Sequence, residues 1–173
     1  MAKEDSKRLN GVNIDAVVGL VEKIQEEPDV AATKWSALVN WKGGFQSEAT
    51  IREFAPIMSD EPSALGGTDR GPNPVEQILA AYGNCLAVGY AANATVAGIE
   101  INDLSIELEG ELDLHTFLGL KQEHAGYNNI TVKVNIDCDA SPEALQTLHE
   151  TVSKSSPVGH TLGRAIPLKF EFG

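Results

Sequence analysis

The pattern of apolar positions predicts one long helix near the middle of the chain. The stretch NPVEQILAAYGNCLAVGYAANATVA, residues 73–97, holds only a few polar side chains, and its Val, Ile, Leu, Ala and Tyr residues fall on every helical face. Asn73 followed by Pro74 is a start signal, and Gly98 marks the end. A helix that is apolar on every face is buried on every face. We therefore expect a central helix packed on all sides.

A membrane-spanning helix is the alternative interpretation of this stretch, because about 20 mainly apolar residues can cross a bilayer. Gly83, Asn84 and Asn93 interrupt the run, and its commonest residue is Ala instead of Leu or Ile. Polar Glu76 and Gln77 stand at its start. These features favour a buried helix in a protein that does not enter a membrane.

Periodicity on either side of this helix predicts shorter elements. Before it we expect a frayed arm at 1–12, a helix from Asn13 that ends before Pro28, hairpin strands at 35–41 and 45–54, and a glycine-rich loop at 60–74. After it we expect strands at 104–114 and 130–138, helices opened by Ser141-Pro142 and Ser156-Pro157, and a closing strand at 166–172. Within these elements, Arg52 is an exposed strand residue, Gly110 a bulge and Cys138 a packed thiol.

The order of the elements predicts an α+β fold, because the strands pair as hairpins and not through βαβ units. The length suits a single domain over residues 1–173, in which residues 1–30 form the N-terminal arm and helix. A wholly apolar helix needs more cover than about six short strands of one chain supply. A second copy of the chain can provide it, so we predict a homodimer built around paired central helices.

Charge narrows the expected partners. The net charge is −12 and no cluster of Lys or Arg occurs. Nucleic acids and anionic membranes are bound largely through basic side chains, so small molecules or proteins are the expected partners. The N-terminal MAKEDSKRLNG is polar and mixed in charge, which predicts neither a signal peptide nor an anchor, and hence a cytoplasmic protein.

The spacing of cysteine and histidine predicts no metal site and no disulfide framework, and no cofactor is expected. Cys85 and Cys138 are far apart and form no CxxC pair. The histidines show no HxxxH or HExxH spacing and are predicted to be isolated surface residues: His115, His124, His149 and His160.

Two interpretations of Cys85, on the central helix, stay open from the residues alone. Free cysteine is among the most buried residue types and behaves as a small hydrophobe, which favours a packed thiol. A nucleophilic role needs a cationic neighbour, because the thiolate is the nucleophile. An arginine suits that role, since it is charged at every working pH.

Three stretches resemble the OsmC/Ohr family of thiol-dependent peroxide reductases: DEPSALGGTDRGPNPVEQILAAYGNCLAVG, GIEINDLSIELEGELD and SSPVGHTL. The similarity runs from about Trp41 to Phe172. It implies a two-layer α+β fold with antiparallel sheets on a long central buried helix, and an intertwined homodimer. It also implies a cysteine that attacks organic hydroperoxides. Three roles carry over to matching positions, namely Cys85 as that cysteine, Glu76 as the helix-start glutamate, and Arg52 as the arginine from the preceding strands.

One position departs from the family pattern. Members that reduce peroxides efficiently carry a second, resolving cysteine before the Pro-Val that starts a late helix, and this chain has Ser156 there. Serine cannot form the disulfide that regenerates the first cysteine, so an external thiol would have to act as reductant. Ser156 before Pro157 is also explained as a helix N-cap.

The resemblance implies a mechanism in which Glu76 orients Arg52, and Arg52 holds Cys85 as a thiolate that attacks the peroxide and becomes sulfenic acid. Glu76 and Cys85 are nine residues apart, about 13.5 Å of rise and half a turn on a straight helix. They point to opposite sides, so we expect either a kink at Gly83 or a site shared by two subunits. An acid in a first helical turn is also favoured by the dipole alone.

Two functions follow as expectations. The first is one-cysteine reduction of organic hydroperoxides in oxidative or osmotic stress defence, weakened by the loss of the resolving cysteine. The alternative is a non-catalytic dimer of the same fold that binds a small hydrophobic ligand, with Cys85 structural.

Overall fold

The computed structural model describes residues 8–172, which divide into two compact units. The first unit holds residues 15–78 and the second joins 8–14 to 79–172, so the boundary falls within the long helix. The predicted single domain stays a prediction. In chain order the elements are α1 Ile14–Glu26, β1 Leu38–Gly43, β2 Gln46–Thr50, β3 Ile57–Ser59, α2 Pro74–Val96, β4 Ile101–Leu112, α3 Leu114–Phe117, β5 Tyr127–Cys138, α4 Pro142–Ser155 and α5 Pro157–Leu162.

The first unit contains a three-stranded antiparallel sheet in the order β1-β2-β3, which confirms the predicted hairpin. Strand β3 was missed because three residues are too few to show alternation. Arg52 was predicted on the second strand, and this is wrong. Strand β2 ends at Thr50, and Arg52 lies in the following turn with a left-handed φ of 51°.

The loop between β3 and α2 is organised by the side chain of Asp60, which is only 1% exposed. One carboxylate oxygen accepts a hydrogen bond from the N–H of Glu61 at 2.8 Å. The other accepts from the hydroxyl of Thr68 at 2.6 Å and from the N–H groups of Thr68 and Arg70 at 3.1 and 3.3 Å. Gly67 passes so close that a Cβ there would lie 1.8 Å from the Glu61 carbonyl oxygen. The glycine-rich loop is therefore an ordered segment, held by hydrogen bonds to Asp60, that leads the chain into α2.

The second unit pairs β4 with β5 in a long antiparallel ladder, as the alternation of both segments predicts. A bulge was predicted at Gly110, before Leu112. Gly110 itself stands opposite Ile130, and the register of the ladder shifts immediately afterwards, between Glu111 and Leu112. The ring of Tyr127 explains the glycine, since a Cβ at Gly110 would come within 2.6 Å of it. Cys138 is half-buried at the end of β5, opposite Ile101.

Helix α2 supplies the centre of the second unit's core, with Leu86, Tyr90 and Ala94 buried against Leu148 and Val152 of α4. The inner faces of β4 and β5 complete this core. Another face of α2 is open, for example at Val88, which is 69% exposed. Burial on every side was predicted with cover from a second copy of the chain, so it stays a prediction together with that second copy.

Both ends of the described chain differ from the prediction. Residues 8–12 are not a frayed arm, because the side chain of Asn10 donates to Thr95 Oγ1 and to the Ile99 carbonyl at 3.1 and 2.9 Å. Its Oδ1 accepts from the Ile101 N–H at 2.8 Å. Residues 1–7 of the predicted arm lie outside the described part.

The predicted closing strand at 166–172 is also wrong, since this segment has no regular structure. Its in-phase apolar side chains are exposed: Ile166, Leu168, Phe170 and Phe172. A strand is stabilised by the ladder to a neighbour, and alternation alone does not provide that neighbour. In the described part of the chain, no helix has the length and hydropathy needed to cross a membrane.

Candidate functional site

The predicted reactive cysteine and the serine in the resolving position lie in contact. Sγ of Cys85, in the middle of α2, is 3.2 Å from Oγ of Ser156. Cys85 is half-buried, and Ser156 is only 4% exposed. Two residues far apart in the sequence are thus joined in one small polar contact inside the second unit.

Helix capping places Ser156 at this point. Ser156 lies between the end of α4 and Pro157, the first residue of α5, and its Oγ accepts a hydrogen bond from the Gly159 N–H at 3.0 Å. A hydroxyl has one proton to donate as well as lone pairs to accept. With the Gly159 N–H bound to a lone pair, the serine proton is available to the sulfur of Cys85. The predicted N-cap is confirmed, and it leaves Ser156 able to donate to Cys85.

Close packing of α2 on α4 sets the register of this contact. A Cβ at Gly89 would lie 2.9 Å from Cγ1 of Val152, so the glycine permits the close approach of the helices one turn beyond Cys85. On the other side, a Cβ at Gly159 would lie 3.1 Å from the ring of Tyr82. Small residues on both sides of the contact therefore allow the approach of Ser156 to Cys85.

Glu76 forms a capping box at the start of α2, a role that sequence analysis missed. Its Oε2 accepts from the Asn73 N–H at 2.8 Å, and Asn73 Oδ1 accepts from the Glu76 N–H at 2.9 Å. The signal was available, because a capping residue followed three positions later by Glu is the pattern of this motif. The structure thus gives Glu76 a structural role at the helix N-terminus.

Arg52 is held by an aromatic contact. The centre of its guanidinium lies 4.6 Å from the ring centroid of Phe54, within the range of a cation–π interaction. Arg52 also lines a 490 Å³ cleft of the first unit together with Trp35 and Ile51. Among residues 8–172, the structure shows no ion pair between Arg52 and Glu76. The predicted pair is not formed within one chain, and the association of either residue with Cys85 stays a prediction.

His149 was predicted to be an isolated surface residue. It is half-buried, and the prediction that it is isolated is wrong. Its Nδ1 lies 2.7 Å from the hydroxyl of Tyr90, and the two rings meet edge to face with centroids 5.5 Å apart. His149 follows the buried Leu148 on α4, so its place beside the apolar stripe was the available signal. In the described part of the chain, no group of three or more His, Cys, Asp or Glu side chains is arranged to hold a metal ion.

Known proteins share this sequence pattern and fold. The family model of OsmC-like proteins matches residues 67–171. The YmaD protein of Bacillus subtilis is 35% identical over 72 residues, which are 41% of this chain and 48% of YmaD. The chain therefore spans about half the length of this curated relative.

Two solved structures show the same fold at low sequence identity. An OsmC-like protein from Mycoplasma pneumoniae superposes with a TM-score of 0.66 at 20% identity, over 76% of this chain and 88% of that chain. An organic hydroperoxide resistance protein OsmC from Legionella pneumophila gives 0.59 at 16% identity, over 76% of this chain and 91% of that chain. They confirm the predicted α+β architecture with antiparallel sheets. Since the family match covers more than half of the sequence, this chain belongs to the OsmC-like protein family.

Proposed function

We propose that this protein reduces organic hydroperoxides through Cys85 and serves in defence against oxidative or osmotic stress. The observation that carries the proposal is the contact between Cys85 Sγ and the buried hydroxyl of Ser156. A hydroxyl beside the sulfur can donate a hydrogen bond to the charged sulfur that attacks the peroxide. The name of the Legionella pneumophila relative, an organic hydroperoxide resistance protein, supports the same chemistry.

The reaction begins when the Cys85 thiolate attacks the outer oxygen of the hydroperoxide. A sulfur–oxygen bond forms, the oxygen–oxygen bond breaks, and the alkoxide leaves as an alcohol after it takes up a proton. The sulfur is oxidised by two electrons to sulfenic acid, and the peroxide is reduced. Throughout these steps the hydroxyl of Ser156 donates a hydrogen bond to the sulfur and keeps the sulfur in place.

An external thiol then completes the cycle, because Ser156 cannot resolve the sulfenic acid as a cysteine would. The external thiolate attacks the oxidised sulfur, a mixed disulfide forms, and the oxygen leaves as water. A second external thiol attacks this disulfide and releases Cys85 as a thiol. In this proposal the protein is a one-cysteine peroxidase that depends on a separate thiol reductant.

We propose that Arg52 and Glu76 act on Cys85 across two subunits. Within one chain Glu76 is engaged at the start of α2, and Arg52 stacks on Phe54. In a homodimer, Arg52 of one subunit would stabilise the Cys85 thiolate of the other, and Glu76 would orient that arginine. Each site would then combine two chains, which resolves the separation of Glu76 and Cys85 along the helix.

Exposed apolar surface supports the homodimer. Large exposed apolar patches mark protein interfaces in soluble proteins. The exposed side chains include one face of α1, the open face of α2 and the C-terminal segment: Val17, Val18, Leu20, Val21, Val88, Val96, Ile166, Leu168, Phe170 and Phe172. A second copy of the chain would cover these side chains with its own apolar surface.

A sulfenic-acid trapping experiment tests the function. The full chain is treated with one equivalent of cumene hydroperoxide in the presence of dimedone, and intact mass is measured for the native protein, Cys85→Ser and Cys138→Ser. We expect a rapid adduct in the native protein and in Cys138→Ser, and none in Cys85→Ser. Labelling that is no faster than that of a free thiol, or that follows Cys138, would contradict the proposal.

The second candidate function is a non-catalytic dimer that binds a small hydrophobic ligand. Ser156 in the resolving position favours it, because a helix N-cap needs no redox chemistry. In that case Cys85 is a packed thiol and forms no adduct above the level of Cys138. The trapping experiment thus separates the two functions.

A further inference from the structure

A second cleft lies in the second unit and does not include Cys85 in its lining. Its volume is 410 Å³, within the range of about 300–1,000 Å³ that small-molecule sites occupy. Leu86, Val132 and Val134 form an apolar floor, and α4 contributes a polar rim that includes His149 and Glu150. Tyr90, whose hydroxyl is bound to His149, also lines it.

The buried hydroxyl of Tyr90 fixes the position of the imidazole proton. Tyr90 is 4% exposed, and burial, followed by the neighbouring Tyr82, raises the pKa of Tyr90 above its ordinary value of 10.0. Tyr90 is therefore a neutral phenol at pH 7, and His149 Nδ1 is its hydrogen-bond partner. A buried hydroxyl proton without an acceptor is costly, so Tyr90 donates to Nδ1. With Nδ1 as the acceptor, the ring carries its proton on Nε2, which has no hydrogen-bond partner among the described residues.

The lysine beside the rim is already paired with Glu150. Glu150 accepts from Lys154 at 3.0 Å and from Gln146 at 3.1 Å, and these bonds, Lys154 first, lower the pKa of Glu150. Glu150 is thus a carboxylate at neutral pH, and its charge is already matched by Lys154. The whole chain adds a net charge of −12, which repels negative ligands.

We propose that this cleft binds a small uncharged organic molecule whose apolar body lies on Leu86, Val132 and Val134 and whose carbonyl or hydroxyl oxygen accepts a hydrogen bond from His149 Nε2. The proposal does not depend on peroxide chemistry, because none of these groups reacts. The Cys85→Ser variant of the full chain is therefore expected to bind as well as the native protein.

A matched set of probes tests this site by NMR titration of the Cys85→Ser protein. Acetophenone and α-methylstyrene have the same shape, but only acetophenone has an oxygen acceptor, and benzoate replaces that acceptor with an anion. We expect acetophenone to bind about fivefold more tightly than α-methylstyrene, the effect of one ordinary hydrogen bond, and benzoate to bind most weakly. Shifts should map to the methyl groups of Val132 and Val134 and to the His149 ring, whose nitrogen shifts should show the proton on Nε2.

Two variants provide the controls. His149→Phe should abolish the preference for acetophenone, and His124→Gln, which changes an exposed histidine outside the cleft, should retain it. Equal affinity for acetophenone and α-methylstyrene, strongest binding of benzoate, or no shifts at the cleft would overturn the proposal. If His149→Phe does not fold, the probe series and the shift map on the unsubstituted histidine decide the question alone.

Discussion

The hydroxyl oxygen of Ser156 lies 3.2 Å from the sulfur of Cys85, although 71 positions separate the two residues in the chain. The separation of the two atoms exceeds a disulfide bond length of about 2.05 Å by roughly one ångström. A cysteine in place of Ser156 would therefore lie close to the sulfur of Cys85.

Ser156→Cys is expected to form a disulfide with Cys85 after one equivalent of cumene hydroperoxide, because the new thiol would lie beside the sulfenic acid. Intact mass should show the loss of two hydrogens, and dimedone labelling should fall. Ser155→Cys is the matched control, since Ser155 is the neighbouring residue but is exposed on α4. A stable sulfenic acid in Ser156→Cys would show that the two side chains do not meet during the reaction.

Ser156→Ala is expected to lower the free energy of unfolding by about 1 kcal/mol, the usual effect of removing an N-cap. It should also slow the reaction of Cys85 with hydroperoxide by about tenfold, because a hydrogen bond to a charged sulfur is lost. Ser141→Ala removes the equivalent cap of α4, where Ser141 accepts from the Ala144 N–H, without touching a thiol. Denaturant unfolding should show similar losses in both variants, whereas stopped-flow oxidation should be slowed only in Ser156→Ala. If Ser156→Ala and the native protein are oxidised at equal rates, Ser156 is only a helix cap and does not assist Cys85.

Asp60→Asn is expected to destabilise the protein at neutral pH and to remove part of its acid sensitivity. The hydroxyl of Thr68 is the main cause that lowers the pKa of Asp60 below its ordinary 3.8, and backbone N–H groups add to it. A carboxyl with a lowered folded-state pKa contributes stability above its unfolded value, and this is lost as pH falls through the folded value. In urea unfolding experiments the two proteins should therefore differ most near pH 7 and converge only as the pH falls through the lowered folded-state pKa of Asp60.

Asp69→Asn is the control for that experiment, because Asp69 is an exposed residue of the same loop. It should follow the native pH profile. A constant difference between Asp60→Asn and the native protein at every pH would show that the ionised carboxylate is not what holds the loop.

Val88→Lys is expected to shift the protein from dimer to monomer in sedimentation velocity experiments, because it places a charge on the open face of α2. Leu120→Lys is matched to it closely, since Val88 and Leu120 are both 69% exposed apolar residues. Leu120 lies outside the central helix and should leave the dimer intact. If both substitutions dissociate the dimer, or if neither does, the proposal that the central helices pair in the dimer is contradicted.

Local signals account for the features that the sequence predicted correctly. The start of α2 at Asn73 and Pro74, and the caps at Ser141 and Ser156, depend on bonds within three or four residues. The alternation along β5 follows from one buried face. Each of these features depends on a short stretch of sequence, so the residue pattern and physical chemistry are enough to predict it.

Tertiary contacts account for what the sequence did not reveal. The segment at 166–172 alternates as a strand does but has no neighbouring strand within the described chain. No spacing of residues in the sequence predicts the left-handed turn at Arg52 or the hydrogen bond between Tyr90 and His149. The contact of Cys85 with Ser156 depends on how α4 packs along α2, which no local pattern specifies.

The three hydrogen bonds of Asn10 have a consequence for the order of folding. They join positions 85 to 91 residues apart, whereas β4 and β5 close on each other across a short connection. The entropy lost on closing a loop grows with its length, so the bonds of Asn10 are costly to form until the intervening chain is compact. The β4–β5 ladder can therefore form first. The corner between α2 and β4 is expected to gain its full protection against hydrogen exchange only when Asn10 binds there.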